Sequence, residues 1–346
     1  MIGGKKKCIG LIFGGASNEH EVSISSAKTV FQAFNSEINK QCFTVKAFYI
    51  TKFGDWLDSD LSEKILVGEI ENNKIKKQET FNQKKINFLD GIEFQNVDGW
   101  FPLLHGFNGE VGSIHGLLRF TKKPLVGCGI IGSSIGMDKI LMKTIFSKLK
   151  LPQVNYLIFQ NDDLNDEEVK NKLINEILEK LNFPVFVKPS NSGSSLGISK
   201  VINESEILQA LEKAREIDPR ILVEEGLEVR EIECGIIGKS KLLTSEIGEV
   251  KYESDWYDYD SKYYSNNKIT IPAEIDSKIT KEIKEIAVQS CRALNIFGFA
   301  RVDFFLEKSS NKILLNEINT IPGFTKTSMF PMLWEASGLK IEELVA

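Results

Sequence analysis

Two short segments near the end of the chain carry charged side chains at a spacing that suits metal and phosphate chemistry. Arg301 and Asp303 are two residues apart. Glu317 and Asn319 have the same spacing. Side chains two apart on a strand share a face, so paired strands would bring one guanidinium and three oxygen ligands together. Such oxygens suit Mg²⁺, which also shares substrate phosphates; a solvated sheet face is the alternative.

A short apolar run, Phe183–Val187, is followed by a loop of small and hydroxyl-bearing residues that extends to Gly197. Lys188 directly follows the predicted strand, and Ser194 and Ser195 lie in the loop beyond it. Glycines in such a loop let backbone N–H groups approach polyphosphate. The GxxxxGK[ST] order of a P-loop is absent, so a plain surface loop remains the alternative. Lys139, which follows Met137 and Asp138, is a second cation for a nucleotide site.

Two further loops contain candidate site residues. Glu19 lies in the glycine-rich loop before a predicted helix, where it is either a site acid or an ordinary first-turn acid. His105 is either a site residue or a loop donor. The loop at 13–26 lacks GxGxxG, no HExxH occurs, and no GxSxG elbow accompanies the histidines, so dinucleotide, zinc and serine-nucleophile chemistry are not favoured. The aromatic and charged segment Tyr252–Ser265 is read as a lid or as a packed irregular segment.

Composition excludes several classes of protein. The 346 residues include 43 Lys and Arg against 48 Asp and Glu, a net charge of −5. No global basic field therefore attracts nucleic acid or an anionic membrane. The five cysteines are spread along the chain without a CxxC pair, which favours a reducing cytosol over disulfides. No apolar run reaches the roughly 18 residues of a membrane helix.

The elements that must position these residues alternate between strands and helices. This alternation predicts a small parallel α/β domain closing near Gly127. Its predicted strands are Cys8–Phe13, Val45–Ile50, Trp100–Leu104 and Pro124–Val126, with an irregular stretch at Thr51–Gln95. The predicted helices beyond it are Ser134–Lys150, Glu167–Leu181, Glu204–Ala214 and Ser277–Leu294. The predicted strands beyond it are Phe183–Val187, Ile221–Glu224, Val229–Ile237, Phe299–Leu306 and Lys312–Asn319, the last two joined by a turn through Ser309–Ser310.

Seven motifs, in this order, resemble those of the D-alanine–D-alanine ligase family of the ATP-grasp superfamily. They are FGGASNEHEVS, HGFNGEVG, MDK, VKPSNSGSSLG, YDYDSKY, ARVD and NEINTIPGFT. The resemblance runs from Phe13 to about Leu344. It implies an α/β chain, α+β in its C-terminal part, with an ATP-grasp fold behind a small parallel N-terminal domain. The implied domains are 1–127 for substrate, 128–221 for the central ATP-grasp part, and 222–346 for the metal site and lid.

The resemblance also implies a role for each matching residue. Catalytic roles fall on Glu19, Ser194, Tyr263, Arg301 and Gly323, and D-alanine binding falls on His105, Ser328 and Met329. ATP binding falls on Lys139, Lys188, Ser195, Glu224, Glu225, Leu227, Glu231 and Lys262. Two Mg²⁺ or Mn²⁺ ions are expected on Asp303, Glu317 and Asn319, and K⁺ is a further candidate cation.

The implied activity is ATP-dependent joining of two D-alanines, through an acyl phosphate, for peptidoglycan synthesis in the cytoplasm. A homodimer without nucleic-acid or membrane partners is expected by analogy with the family. Tyr263, where some relatives have phenylalanine, resembles the dipeptide-forming members. The segment Lys326–Ser328 lacks the histidine often found before the serine. A D-alanine–D-lactate or D-alanine–D-serine ligase, or a silent nucleotide-binding regulator, remains the alternative.

Overall fold

Three separate β-sheets organise the chain. The computed structural model describes residues 5–72, 96–160, 164–251 and 268–346. Along the chain, a parallel sheet is followed by two antiparallel sheets. The lid segment Tyr252–Ser265 lies outside the described residues, and with it lie Tyr263 and Lys262.

The first sheet is the predicted parallel one. Its strands are β1 (Lys7–Gly14), β2 (Phe43–Ile50) and β3 (Gly99–Pro102), in the order β2-β1-β3. The helices around it are α1 (His20–Phe34), α2 (Ser59–Val67), α3 (Phe107–Glu110) and α4 (Ser113–Arg119), with a 3-10 turn at Asn39–Gln41. Helix α2 corrects the expectation of an irregular stretch from residue 51; the rest of that stretch, 73–95, lies outside the described residues. The expected strand at 124–126 forms a single bridge, between Leu125 and Trp100.

A break in the backbone divides the helix that was predicted over Ser134–Lys150. Helix α5 covers Ile130–Met137 and helix α6 covers Lys139–Lys148. Asp138 between them has extended backbone angles, and its side chain accepts the N–H of Leu141. Because aspartate is a preferred N-cap residue, the chain starts a new helix here instead of continuing the old one.

The second sheet is antiparallel, with the order β4-β7-β5-β6. Its strands are β4 (Tyr156–Gln160), β5 (Val185–Pro189), β6 (Ser199–Val201) and β7 (Arg220–Glu225). Helices α7 (Glu167–Lys180) and α8 (Ile207–Arg215) accompany it, with a 3-10 turn at Glu204–Glu206. The buried residues of α7, α8 and the strands form one hydrophobic core.

The third sheet is also antiparallel, with the order β10-β9-β8-β11-β12. Its strands are β8 (Val229–Gly238), β9 (Leu242–Lys251), β10 (Lys268–Thr270), β11 (Gly298–Glu307) and β12 (Ile313–Asn319). The helices of this part are α9 (Ser277–Ala293), α10 (Met329–Ala336) and α11 (Ile341–Leu344). The apolar face of α9 buries Ile283, Ala287 and Cys291 against the core beneath β8 and β11.

None of the helices in the described part of the chain is both long enough and apolar enough to cross a membrane.

Candidate active site

One cavity of about 1010 Å³ is lined by residues of both antiparallel sheets. The loop Ser190–Gly197, called the serine loop below, and the loop before α1 also contribute to its walls. Among the predicted site residues, those that line it are Glu19, Lys139, Lys188, Ser194, Ser195, Glu224, Glu225, Leu227, Glu231, Arg301, Asp303, Glu317 and Asn319. The structure therefore brings most of the predicted residues around one space.

The strand pair β11–β12 places its charged side chains as the spacing predicts. Arg301 pairs with Asn319 in the register, and Asp303 pairs with Glu317. The Arg301 guanidinium donates two hydrogen bonds to Asp303, at 2.7 and 2.6 Å, and lies 2.9 Å from Oε2 of Glu233. Sequence reasoning missed Glu233, although its position two residues beyond Glu231 on β8 was the available signal.

The chemistry of the ligand set fits a divalent cation. Asp303, Glu317 and Asn319 all line the cavity, and Asn319 reaches Asp303 with its side-chain amide, 2.8 Å from Oδ2. Within the described ranges, no group of three or more His, Cys, Asp or Glu side chains forms a metal-binding cluster. The three residues would therefore need phosphate oxygens and water to complete a coordination shell, which is how Mg²⁺ is usually bound.

A buried carboxylate holds two lysines beside the cavity. Glu224, which is 2 % exposed, contacts Lys188, and its other oxygen lies 2.6 Å from the Lys143 ammonium. Burial raises the pKa of Glu224, but Lys143 and Lys188 outweigh that effect and the pKa falls to about 2. Lys143 was missed in the sequence, although it lies one helical turn after Lys139 and therefore on the same face.

Lys139 begins helix α6 and points its ammonium into the cavity. Its Nζ lies 2.5 Å from the carbonyl oxygen of Ser192 and 3.8 Å from Glu317. Burial lowers the pKa of Lys139, and Lys188 lowers it further, while Glu317 opposes the change. Lys139 and Lys188 are both largely buried, and each lies near a carboxylate. The phosphate oxygens of a polyphosphate would replace these carboxylates as partners, so the two lysines are suited to bind it.

The serine loop reaches the first sheet through Glu19. The hydroxyl of Ser194 donates a hydrogen bond to Glu19 Oε1, although the two residues are 175 positions apart in sequence. Glu19 is the N-cap residue of α1, but its side chain makes no capping hydrogen bond. Ser194 and Ser195 both have positive φ, at 49° and 58°, so the turn of the loop is held in a left-handed conformation. Glu19 is thus used for the cavity and not for the helix.

His105 lies outside the cavity lining. It is 4 % exposed, with Nδ1 2.9 Å from the carbonyl oxygen of Ile321 and Nε2 3.1 Å from the hydroxyl of Ser26. Burial lowers its pKa, which favours the neutral ring. Nearby Glu110, which the sequence reasoning did not single out, lines the cavity; burial and then Glu19 raise its pKa to about 8.

The remaining predicted residues lie around the segment after β12. Gly323 and Ser328 are neighbours, because a Cβ at position 323 would lie 2.7 Å from the Ser328 hydroxyl. That hydroxyl accepts the N–H of Thr325 at 3.0 Å. Met329 packs against Val250 at the start of α10. None of Gly323, Ser328 and Met329 belongs to the cavity lining.

The chain between β7 and β8 forms one wall of the cavity. Glu225 accepts hydrogen bonds from the side chains of Asn155 and Asn182, at 2.7 and 2.5 Å. Leu227 and Glu231 line the cavity beyond it, on the connection and the following strand. This wall joins the two antiparallel sheets, so its residues are placed to contact anything bound between them.

Two family models match nearly the whole chain. The model described as D-ala D-ala ligase N-terminus matches residues 8–128, and the model described as D-ala D-ala ligase C-terminus matches residues 145–346. Among curated proteins, a D-alanine–D-alanine ligase of Prochlorococcus marinus strain MIT 9301 is 86 % identical over all of this chain and 98 % of its own length. The corresponding ligase of strain NATL2A is 46 % identical over 99 % of this chain and 97 % of its own length.

Solved structures of similar fold cover the same extent. The VanG D-Ala:D-Ser ligase from Enterococcus faecalis matches with a TM-score of 0.81 and 33 % identity, covering 99 % of this chain and 98 % of its own. The D-alanine–D-alanine ligase from Coxiella burnetii matches with a TM-score of 0.82 and 30 % identity, covering 99 % of this chain and 92 % of its own.

Proposed function

The chain belongs to the D-alanine–D-alanine ligase family, and from that premise we propose that it joins two D-alanine molecules while converting ATP to ADP and phosphate. The product would serve peptidoglycan synthesis. The observation that supports this proposal best is the single cavity around which the structure gathers Lys139, Lys188, Arg301 and the strand-pair carboxylates.

The proposed reaction has two steps. A carboxylate oxygen of the first D-alanine attacks the γ-phosphorus of ATP, which forms an acyl phosphate and releases ADP. The amino nitrogen of the second D-alanine then attacks the acyl carbon; the C–N bond forms, phosphate leaves and the amine loses a proton. Both steps place negative charge on oxygen atoms, and fixed cationic and N–H groups stabilise such charge without reorganising.

The main charged residues of the cavity have a place in this proposal, together with Gly323, which lies outside the cavity lining. Lys139 and Lys188 would bind the phosphates, and Glu19, held by Ser194, would bind the ammonium of the first D-alanine. Arg301 and the N–H of Gly323 would stabilise the oxyanion. Divalent cations held by Asp303, Glu317 and Asn319 would neutralise phosphate charge.

Phosphate release measured with D-alanine and with L-alanine tests the proposal. We expect release that requires D-alanine and is poorly supported by L-alanine. The variant Glu317→Ala should lose this activity, whereas Glu335→Ala, an exposed glutamate on α10, should retain it. Release that is indifferent to alanine chirality would reject the proposal, and ATP binding without turnover would favour the regulatory alternative.

The identity of the second substrate needs a separate test, because one similar structure is a D-Ala:D-Ser ligase. Mass spectrometry of the product formed with D-alanine, D-serine and D-lactate in competition distinguishes the three. We propose D-alanyl-D-alanine as the main product. We also propose a homodimer, which sedimentation tests, and a cytoplasmic location, where ATP is available.

A further inference from the structure

The segment Ile321–Phe324 connects β12 to α10 and contains Gly323. Its backbone is hydrogen-bonded to three side chains from the first 110 residues of the chain. Ile321 donates its N–H to Glu110, at 3.2 Å, and accepts from the His105 ring at its carbonyl oxygen. Phe324 donates its N–H to the hydroxyl of Ser26, at 3.0 Å. The segment is thus held at both ends.

The contacts of Ser26 and His105 form one directional chain. The Phe324 N–H donates to the Ser26 oxygen, so the Ser26 hydroxyl hydrogen is free to donate to Nε2 of His105, 3.1 Å away. Nε2 then carries no proton, and the proton on Nδ1 donates to the Ile321 carbonyl at 2.9 Å. Both residues are nearly inaccessible to solvent, at 0 % and 4 % exposure. A buried chain with every donor and acceptor matched is rigid.

Glu110 adds a second link. One of its oxygens accepts the Ile321 N–H, and the other accepts the N–H of Gly106 at 2.9 Å. Gly106 adjoins His105, so this one carboxyl group ties the His105 loop directly to the segment. Each of these two N–H groups has one carboxyl oxygen as its partner, so truncating the side chain would remove both acceptors.

We propose that Ser26, His105 and Glu110 are positioning residues that fix the Gly323 N–H for the developing oxyanion. This inference rests on the proposed ligase activity, in which Gly323 is an oxyanion donor. His105 uses both ring nitrogens in the chain, so it acts through the segment and not by binding D-alanine with its ring. Donors that stabilise a transition state must be held before the charge appears, and a small misplacement costs rate and not ground-state binding.

The test compares Ser26→Ala with a matched control. Ser133→Ala also removes a fully buried serine beside a histidine, His115, with 3.5 Å between the hydroxyl and Nε2. Ser133 has no contact with the segment among the described hydrogen bonds. We expect kcat to fall about 10- to 100-fold in Ser26→Ala, while the KM for ATP and the melting temperature match those of Ser133→Ala. In Glu110→Ala, kcat should fall in the same way, and Ser26→Thr, which keeps the hydroxyl, should retain most of the wild-type rate.

The affinity for a phosphinate analogue of the dipeptide distinguishes positioning of the Gly323 N–H from a purely structural role. Its tetrahedral anion resembles the oxyanion, so its affinity should weaken in Ser26→Ala by about the same factor as kcat, while the affinity for ADP is unchanged. A kcat in Ser26→Ala equal to that of Ser133→Ala would overturn the inference, and so would an equal loss of ADP affinity. Absence of D-alanine-dependent phosphate release in the wild-type chain would instead overturn the proposed function, and this inference with it.

Discussion

At the residue scale, the cavity is organised by charges that neutralise one another before any ligand is bound. Glu224 is buried between Lys143 and Lys188, and Arg301 is held by Asp303 and Glu233. A carboxylate removed from water without such partners would be protonated instead. Lys188, which lines the cavity, is therefore held in place by Glu224. Glu224 also pairs with Lys143, which is more deeply buried.

Replacing Lys143 should affect both the stability of the protein and its binding of nucleotide. In Lys143→Met, Glu224 keeps only Lys188, so we expect Lys188 to be held more firmly and the KM for ATP to rise about tenfold. Breaking a buried pair should also lower the free energy of unfolding by about 3 kcal/mol. Lys148→Met, an exposed position on the same helix α6, is the control. Equal KM and urea-unfolding values for the two variants would contradict this role of Lys143.

The same carboxylate predicts a pH dependence of stability. The pKa of Glu224 is lowered from 4.5 to about 2, so its contribution is fully present above about pH 4.5 and is lost as the pH falls toward the folded value. Protonation of Glu224 across that range should lower the free energy of unfolding by about 3 kcal/mol. Urea unfolding between about pH 6 and about pH 4 should show the start of this loss. Lys143→Met should have a shallower slope, and an identical slope would argue against the effect.

Side-chain types and spacing predicted most of the residues around the cavity but not the groups behind them. The two-residue spacing was enough for Arg301 and Asp303, because a strand fixes which side chains share a face. Glu110 and Lys143 act through partners far away in sequence, so no local pattern reveals what they contact. The acid Glu19 was left open between two roles for the same reason, since its partner Ser194 follows 175 residues later.

At the scale of elements, the break between α5 and α6 could have been predicted from the sequence, because Asp138 is a residue type that favours a helix start. The apolar pattern of 134–150 continues across Asp138, which predicts one helix. The aspartate is also a preferred helix start, and its side chain accepts the Leu141 N–H at 3.0 Å. The strands β4, β6, β9 and β10 were missed as well, because short or partly exposed strands carry weak periodicity. Strand pairing decides where these strands form: β4 pairs with β7, β6 with β5, β9 with β8, and β10 with β9.

Asp138 should connect helix stability to the position of Lys139. Besides capping α6, it accepts hydrogen bonds from Ser190 at 2.7 Å and from Arg220 at 2.6 Å. In Asp138→Ala we expect a loss of about 2 kcal/mol in unfolding free energy and a raised KM for ATP, because Lys139 is the first residue of the helix.

Asp166→Ala provides the comparison for this variant. Asp166 caps α7 by accepting the N–H groups of Glu168 and Val169, and it is exposed to solvent. Its loss should cost about 1 kcal/mol without changing the KM for ATP. A KM that is unchanged in Asp138→Ala, measured by phosphate release, would show that the cap does not position Lys139.

At the scale of the whole molecule, the fold class expected from the resemblance is confirmed: the chain has the α/β ATP-grasp fold of its structural neighbours, with a parallel sheet at its N-terminal end. Local pattern alone could not show how the first sheet meets the third. That contact is a cluster of aromatic rings, in which Phe101 of β3 lies 5.8 Å from both Phe299 and Phe324, measured between ring centroids. Phe299 comes from β11, and Phe324 ends the segment that holds Gly323.

Because Phe101 packs directly against Phe324, a smaller side chain at this position should lower activity as well as stability. We expect Phe101→Leu to lose about 1–2 kcal/mol of unfolding free energy and to reduce kcat, since Phe324 loses a packing partner beside Gly323. Phe48→Leu is the matched control: Phe48 is equally buried in the same sheet, but it packs on the opposite face, against Trp100. It should lose similar stability in urea unfolding while keeping the wild-type kcat for D-alanine-dependent phosphate release. An equal reduction of kcat in the two variants would mean that general loosening, and not contact with the Gly323 segment, sets the rate.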